Sequence, residues 1–165
     1  MKYKVQNEPK EQKKGMNKEL YDMFIDLIQF EIDKLSFISS AKTYFFHNGY
    51  LNYKEFFTSM YKGCEKNKHC LLKFLTEQME EIPEFKIPAL ETEFENEIEP
   101  FEILQKLEDS YAEKINAIGV KALELKDMQI LAYIFPKIAE IKHIACIALA
   151  AVKNEQNPLD LLKCV

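Results

Sequence analysis

Taken in steps of three and four, the chain lays down apolar stripes separated by charged faces, the pattern of amphipathic helices. Leu20, Phe24, Leu27, Leu35 and Ile38 mark the first stripe and predict a helix from about Asn17 to Phe46. Asn17 suits the N-cap, where a side-chain oxygen accepts from open first-turn amides, and Gly49 can take the left-handed conformation that ends a helix. A second stripe, Phe57, Met60, Cys64, Leu71, Leu75 and Met79, predicts a helix from about Tyr53 to Glu81, stopping ahead of Pro83. Phe101, Leu104, Tyr111, Ile115 and Ile118 predict a third, from about Phe101 to Leu125. The fourth runs from about Asp127, a second N-cap candidate, to Lys153 on the stripe Ile130, Ile134, Ile138, Ile141, Ala145 and Ala148. Pro136 falls inside it and should kink it, since proline removes one ladder bond and crowds the preceding turn. Beyond Asn157 and Pro158, the segment Leu159 to Val165 has room for one or two helical turns.

Two residues break the pattern. Glu31 and Glu108 each stand mid-helix where the first and third stripes call for apolar side chains. An unpaired buried carboxylate is costly, so each must be protonated, paired with a cation or bound to a metal. In register across the core lie Cys64 on the second helix and Ile141 on the fourth, with Asn67 one turn beyond Cys64. Glu140 and His143 flank the fourth stripe, and rotation of that helix decides whether they reach inward. Lys42 and Lys68, on neighbouring faces, are the cations that could pair with a buried carboxylate. Glu65 and His69 lie well round the second helix and read as a solvated charged face.

Short links make helix neighbours antiparallel, so the first and second helices form one hairpin and the third and fourth another. The acidic stretch between Pro83 and Pro100 has no sustained apolar face and must carry the chain from one hairpin to the other. The result is an all-α, up-down-down-up four-helix bundle with one long crossover, over residues 17–153. A length of 165 residues suits one such core. Residues 1–16 form a polar basic tail, with Lys2, Lys4, Lys10, Lys13 and Lys14 outnumbering Glu8 and Glu11, and residues 154–165 a short C-terminal segment. The net charge of -5 argues against a nucleic-acid-binding surface. With no signal-peptide run and no membrane span, the expectation is a cytoplasmic protein. Cys64, Cys70, Cys146 and Cys164 show no Cys-x-x-Cys spacing and fit reduced thiols better than a disulfide framework.

From about Asn17 to Lys153 the chain resembles the ferritin family. The likeness rests on Phe30-Glu31-Ile32 in the first helix, Tyr53-Lys54-Glu55-Phe56-Phe57 opening the second, and Leu107-Glu108 followed by Lys114-Ile115-Asn116 in the third. The resemblance implies that Glu31 and Glu108 match the glutamates that the family's first and third helices give to a buried di-iron ferroxidase site. It also implies that Cys64 and Asn67 stand where the family has a bridging glutamate and a histidine. Ile141 stands at the fourth-helix Gln or Glu, and Ile144 at a further acidic position of some bacterial members. Such a centre is depleted: the bridging carboxylate and the imidazole are both replaced.

What the resemblance then implies is an iron-storage or iron-handling subunit, homo-oligomeric in the manner of a ferritin cage, with iron ions as its partner and ferroxidase activity weak or absent. Iron would be held weakly, or as one ion per site, between Glu31 and Glu108 with Asn67 as a neutral oxygen donor and Cys64 as a softer one; Glu140 and His143 are the remaining candidates for metal. The alternative is a non-enzymatic helical interaction protein that has lost iron chemistry.

Overall fold

The computed structural model describes residues 15–78, 81–91, 93–141 and 143–163. The basic residues before Gly15, together with Met79 and Cys164, lie outside the described residues. Four long helical segments build the body, the last of them in two pieces: α1 (Lys18–His47), α2 (Leu51–Gln78), α3 (Glu99–Glu124), α4 (Met128–Ala139) and α5 (Ile144–Lys153), with one further turn, α6 (Leu159–Leu162). Their ends follow the local chemistry. The Asn17 side chain accepts from the amides of Glu19 and Leu20, and that of Asp127 from the amide of Ile130. Gly49 takes a φ of 80°, and the α1–α2 hairpin closes around it.

Ring contacts fix the helix directions. Phe24 near the start of α1 meets Phe74 near the end of α2 at 5.5 Å, so α1 and α2 are antiparallel. Phe45 near the end of α1 meets Phe101 at the start of α3 at 5.7 Å, so α1 and α3 are antiparallel too. Tyr133 of α4 lies 6.3 Å from Phe24, which makes α4 parallel to α1. The bundle is therefore up-down-down-up, and the crossover from α2 to α3 runs back along the whole of α1. Among the described residues three tethers to α1 hold it there. The Tyr21 hydroxyl donates to the Glu81 carbonyl, the Gln29 side-chain amide exchanges hydrogen bonds of 2.8 and 3.0 Å with the backbone of Lys86, and the Ser40 hydroxyl accepts from the Glu91 amide.

Apolar burial is divided between two ends. At one, Leu20, Phe24, Leu71, Leu75, Ile115, Ile118, Ile130 and Ile134 close together. At the other, Phe45, Phe56, Phe57 and Phe101 form a ring cluster with centroids 5.1 to 5.7 Å apart in tilted and edge-on pairs, backed by Leu104, Ala145 and Ala148. Each such phenylalanine stabilises the fold by about 1.5–3 kcal/mol through burial. Between the two ends lies a polar layer.

The fourth helix departs from its sequence reading. It does not run on from Asp127 to Lys153 with a kink at Pro136; it stops at Ala139 and restarts at Ile144. Proline has no amide to offer Ala132, so the ladder is already weakened, and α4 ends one turn later with the amides of Glu140 and Ile141 donating to Pro136 and Ile138. Among the described residues no helix is long and apolar enough to cross a membrane.

Candidate functional site in the polar layer

Glu31 is fully buried in the middle of α1, and among the described residues its carboxylate has two partners. Lys34 Nζ donates to Oε1 at 3.0 Å from one turn along the same helix, and the Cys64 thiol of α2 donates to Oε2 at 2.6 Å. Lys34 is itself only 6% exposed and stands 4.5 Å over the ring of Tyr111 from α3, so the ammonium has a carboxylate on one side and an aromatic face on another. Burial opposes the charge on Lys34, but Glu31 above all, with Glu108 adding to it, outweighs the burial and holds the ammonium above the usual lysine range. Burial first, and then the charge of Glu31, push the Cys64 thiol and the Tyr111 hydroxyl well above their usual ranges and keep both protonated.

Glu108 is half-buried and does not touch Glu31. Its Oε2 accepts from the Ala145 amide at 3.0 Å, in the first turn of α5. His143 precedes that turn and its side chain makes no capping bond, so a carboxylate from α3 caps the restarted helix in its place. Desolvation raises the Glu108 pKa, against the lowering pull of the Ala145 amide, Lys34 and His143.

Of the residues that sequence reading selected, Glu31 and Cys64 are in contact, while Cys64, Asn67, Glu108 and Glu140 line one cavity beside the ion pair. His143 is exposed. Ile141 lines the cavity from the segment between α4 and α5. Glu65 and His69 are exposed on α2, as expected of a solvated face. The cation at Glu31 is neither Lys42, which lies over the Tyr61 ring, nor Lys68; it is Lys34. Lys34 was missed because lysine reads as surface, yet it falls in the same row as Leu27, Glu31, Ile38, Ala41 and Phe45, and three residues' separation from Glu31 was the signal. Among the described residues no group of three or more His, Cys, Asp or Glu gathers so as to hold a metal ion, and Cys64, Cys70 and Cys146 are free thiols.

Solved structures share this architecture. Apo-ferritin from Pseudo-nitzschia multiseries matches with a TM-score of 0.78 over 84% of this chain and 91% of that one, at 17% sequence identity. The chain has the ferritin fold. Two iron-soaked variants of PmFTN match as well, one at a TM-score of 0.78 over 84% of this chain and 91% of the other, the second at 0.77 over 84% and 90%, both at 17% identity. At that identity the ferritin fold is what the likeness establishes. No family model and no curated protein matches the chain.

Proposed function

We propose that this chain is a ferritin-like iron-handling subunit in which a lysine–glutamate pair stands in place of the two-metal oxidation centre. The observation that carries the reading is the Lys34 ammonium 3.0 Å from Glu31, with the second carboxylate oxygen taken by Cys64. Two divalent ions held side by side need a bridging carboxylate and free oxygens facing them. Here the donor set does not fit: one glutamate is bound to an ammonium and a protonated thiol, and the other caps α5. Iron on this reading is cargo, taken up by an acidic homo-oligomer, with oxidation slow or supplied by another subunit. Glu108, Asn67, Glu140 and His143 are left as weak contacts for a passing ion.

The test is iron content per chain across a sizing column with light-scattering mass, on protein from iron-supplemented cells. The expected result is a large assembly with many irons per chain, and aerobic Fe(II) oxidation equally slow in wild type and Glu31→Ala. A second reading is a helical interaction protein without iron chemistry, favoured by the exposed Val120 and Leu123 of α3 and Met128 and Phe135 of α4. A small oligomer free of iron would replace the first reading with the second.

A further inference from the structure

The break between α4 and α5 opens a cavity of about 280 Å³ against α2 and α3. Its floor reaches Lys34, and its mouth is marked by Ser59 and Gly63 of α2, both exposed. Gly63 sits in mid-helix, where glycine is unfavourable, yet a Cβ there would meet nothing within 4 Å. No neighbouring backbone demands the glycine; what it leaves is room at the entrance. Much of the wall is carbon, from Ile38, Leu104, Ile141 and Ile144. A space of about 150 Å³ already accepts benzene, so this one takes a ring with a short chain.

The charges of the wall choose the head group. Lys34 is already matched by Glu31, and of the two further charges on the wall Lys137 stands 5.0 Å over the Tyr133 ring while Glu140 is exposed. Among the described residues no cation forms an ion pair with Glu108, although Lys34 and His143 are near enough to favour its charge. One of its oxygens holds the Ala145 amide, and the other has no hydrogen-bond partner among the described residues. Asn67, on the α2 side, likewise makes no side-chain hydrogen bond among them, so its amide oxygen is a second acceptor. A hard divalent ion asks for about six oxygen donors, which this largely apolar wall does not supply.

We propose that the cavity binds a small organic ammonium ion, its nitrogen on the free oxygen of Glu108 and the amide oxygen of Asn67 and its apolar body against Ile38, Leu104, Ile141 and Ile144. Nothing in this depends on iron binding. The site is formed within a single subunit, and the ion pair that closes off the metal position forms its floor. Loss of one charge-assisted hydrogen bond in such a place weakens binding by roughly tenfold to a hundredfold.

Titration calorimetry of the full chain with phenethylamine, and with its neutral isostere 2-phenylethanol, tests the assignment. Wild type is expected to bind the amine saturably and at least about tenfold more tightly than the alcohol. Glu108→Gln should remove that preference, and Gly63→Leu, which fills the mouth, should weaken both ligands. Circular dichroism checks the fold of each variant. If Glu108→Gln does not fold, the amine-to-alcohol ratio in wild type and the Gly63→Leu result decide by themselves. Equal affinity for the two ligands, no binding of either, or amine binding that survives Gly63→Leu unchanged would overturn the proposal.

Discussion

Removing the Lys34 ammonium would strand Glu31 with a thiol as its one remaining side-chain partner among the described residues, because the carboxylate is fully buried. Breaking a buried pair from one side costs about 3–5 kcal/mol, whereas replacing both members with apolar groups of similar volume is often neutral or better. Lys34→Met is therefore expected to lose about that much in urea unfolding, and Glu31→Leu with Lys34→Met to regain most of it. A double variant as unstable as the single one would show that the pair is not what Glu31 requires. The sign of the pH dependence follows from the same residues. The folded state holds the Lys34 proton more tightly than the unfolded chain, so the pair's contribution is complete below the usual lysine pKa and fades as pH rises through the raised one. Glu108 also binds its proton more tightly when folded, so stability falls as pH climbs from the ordinary glutamate value through the raised one. Glu108→Gln keeps an acceptor for Ala145 and has no proton to lose. Relative to wild type it should gain stability as pH rises from about 4 toward neutrality, measured as urea midpoints at successive pH values. Parallel pH profiles would reject the assignment.

At the level of elements, what the sequence displays well is periodicity. The α1 row Leu20, Phe24, Leu27, Glu31, Leu35 and Ile38 is buried throughout, and Asn17 and Asp127 cap the helices they were expected to cap. Periodicity fails where a backbone break is decided by a partner far along the chain. Ile138, Ile141, Ala145 and Ala148 keep helical spacing across 140–143, so nothing local separates a kinked helix from two short ones. The restart of α5 draws on Glu108, thirty-seven positions away, to satisfy an amide that His143 leaves open. The same distance problem hid the use of Glu108. Its place on the core-facing stripe was legible; that it is only half-buried there and serves as a cap depended on a break that the stripe does not announce. Lys34 was hidden for a different reason. A lysine within an apolar row is read outward unless its carboxylate one turn away is already known to be enclosed.

For the molecule as a whole, the polar layer separates two apolar ends, and the crossover ties one hairpin to the other along the length of α1. Only Tyr21, Gln29 and Ser40 fasten that segment to α1 by side-chain hydrogen bonds among the described residues, and between the Lys86 and Glu91 tethers Ile87 and Leu90 project outward, 83% and 54% exposed. No helix depends on the peptide bonds of residues 87–90 for its core contacts. Cut there, the protein would become two complementary hairpins, α1–α2 and α3–α5 with α6, each completing the other across the α1–α3 seam. Folding would change from a first-order event to an encounter between fragments. The melting temperature of the nicked pair should then climb with concentration more steeply than that of the intact chain, which a dilution series in a calorimeter would measure. Fragments that fail to rejoin would show that the crossover organises the seam as well as linking it.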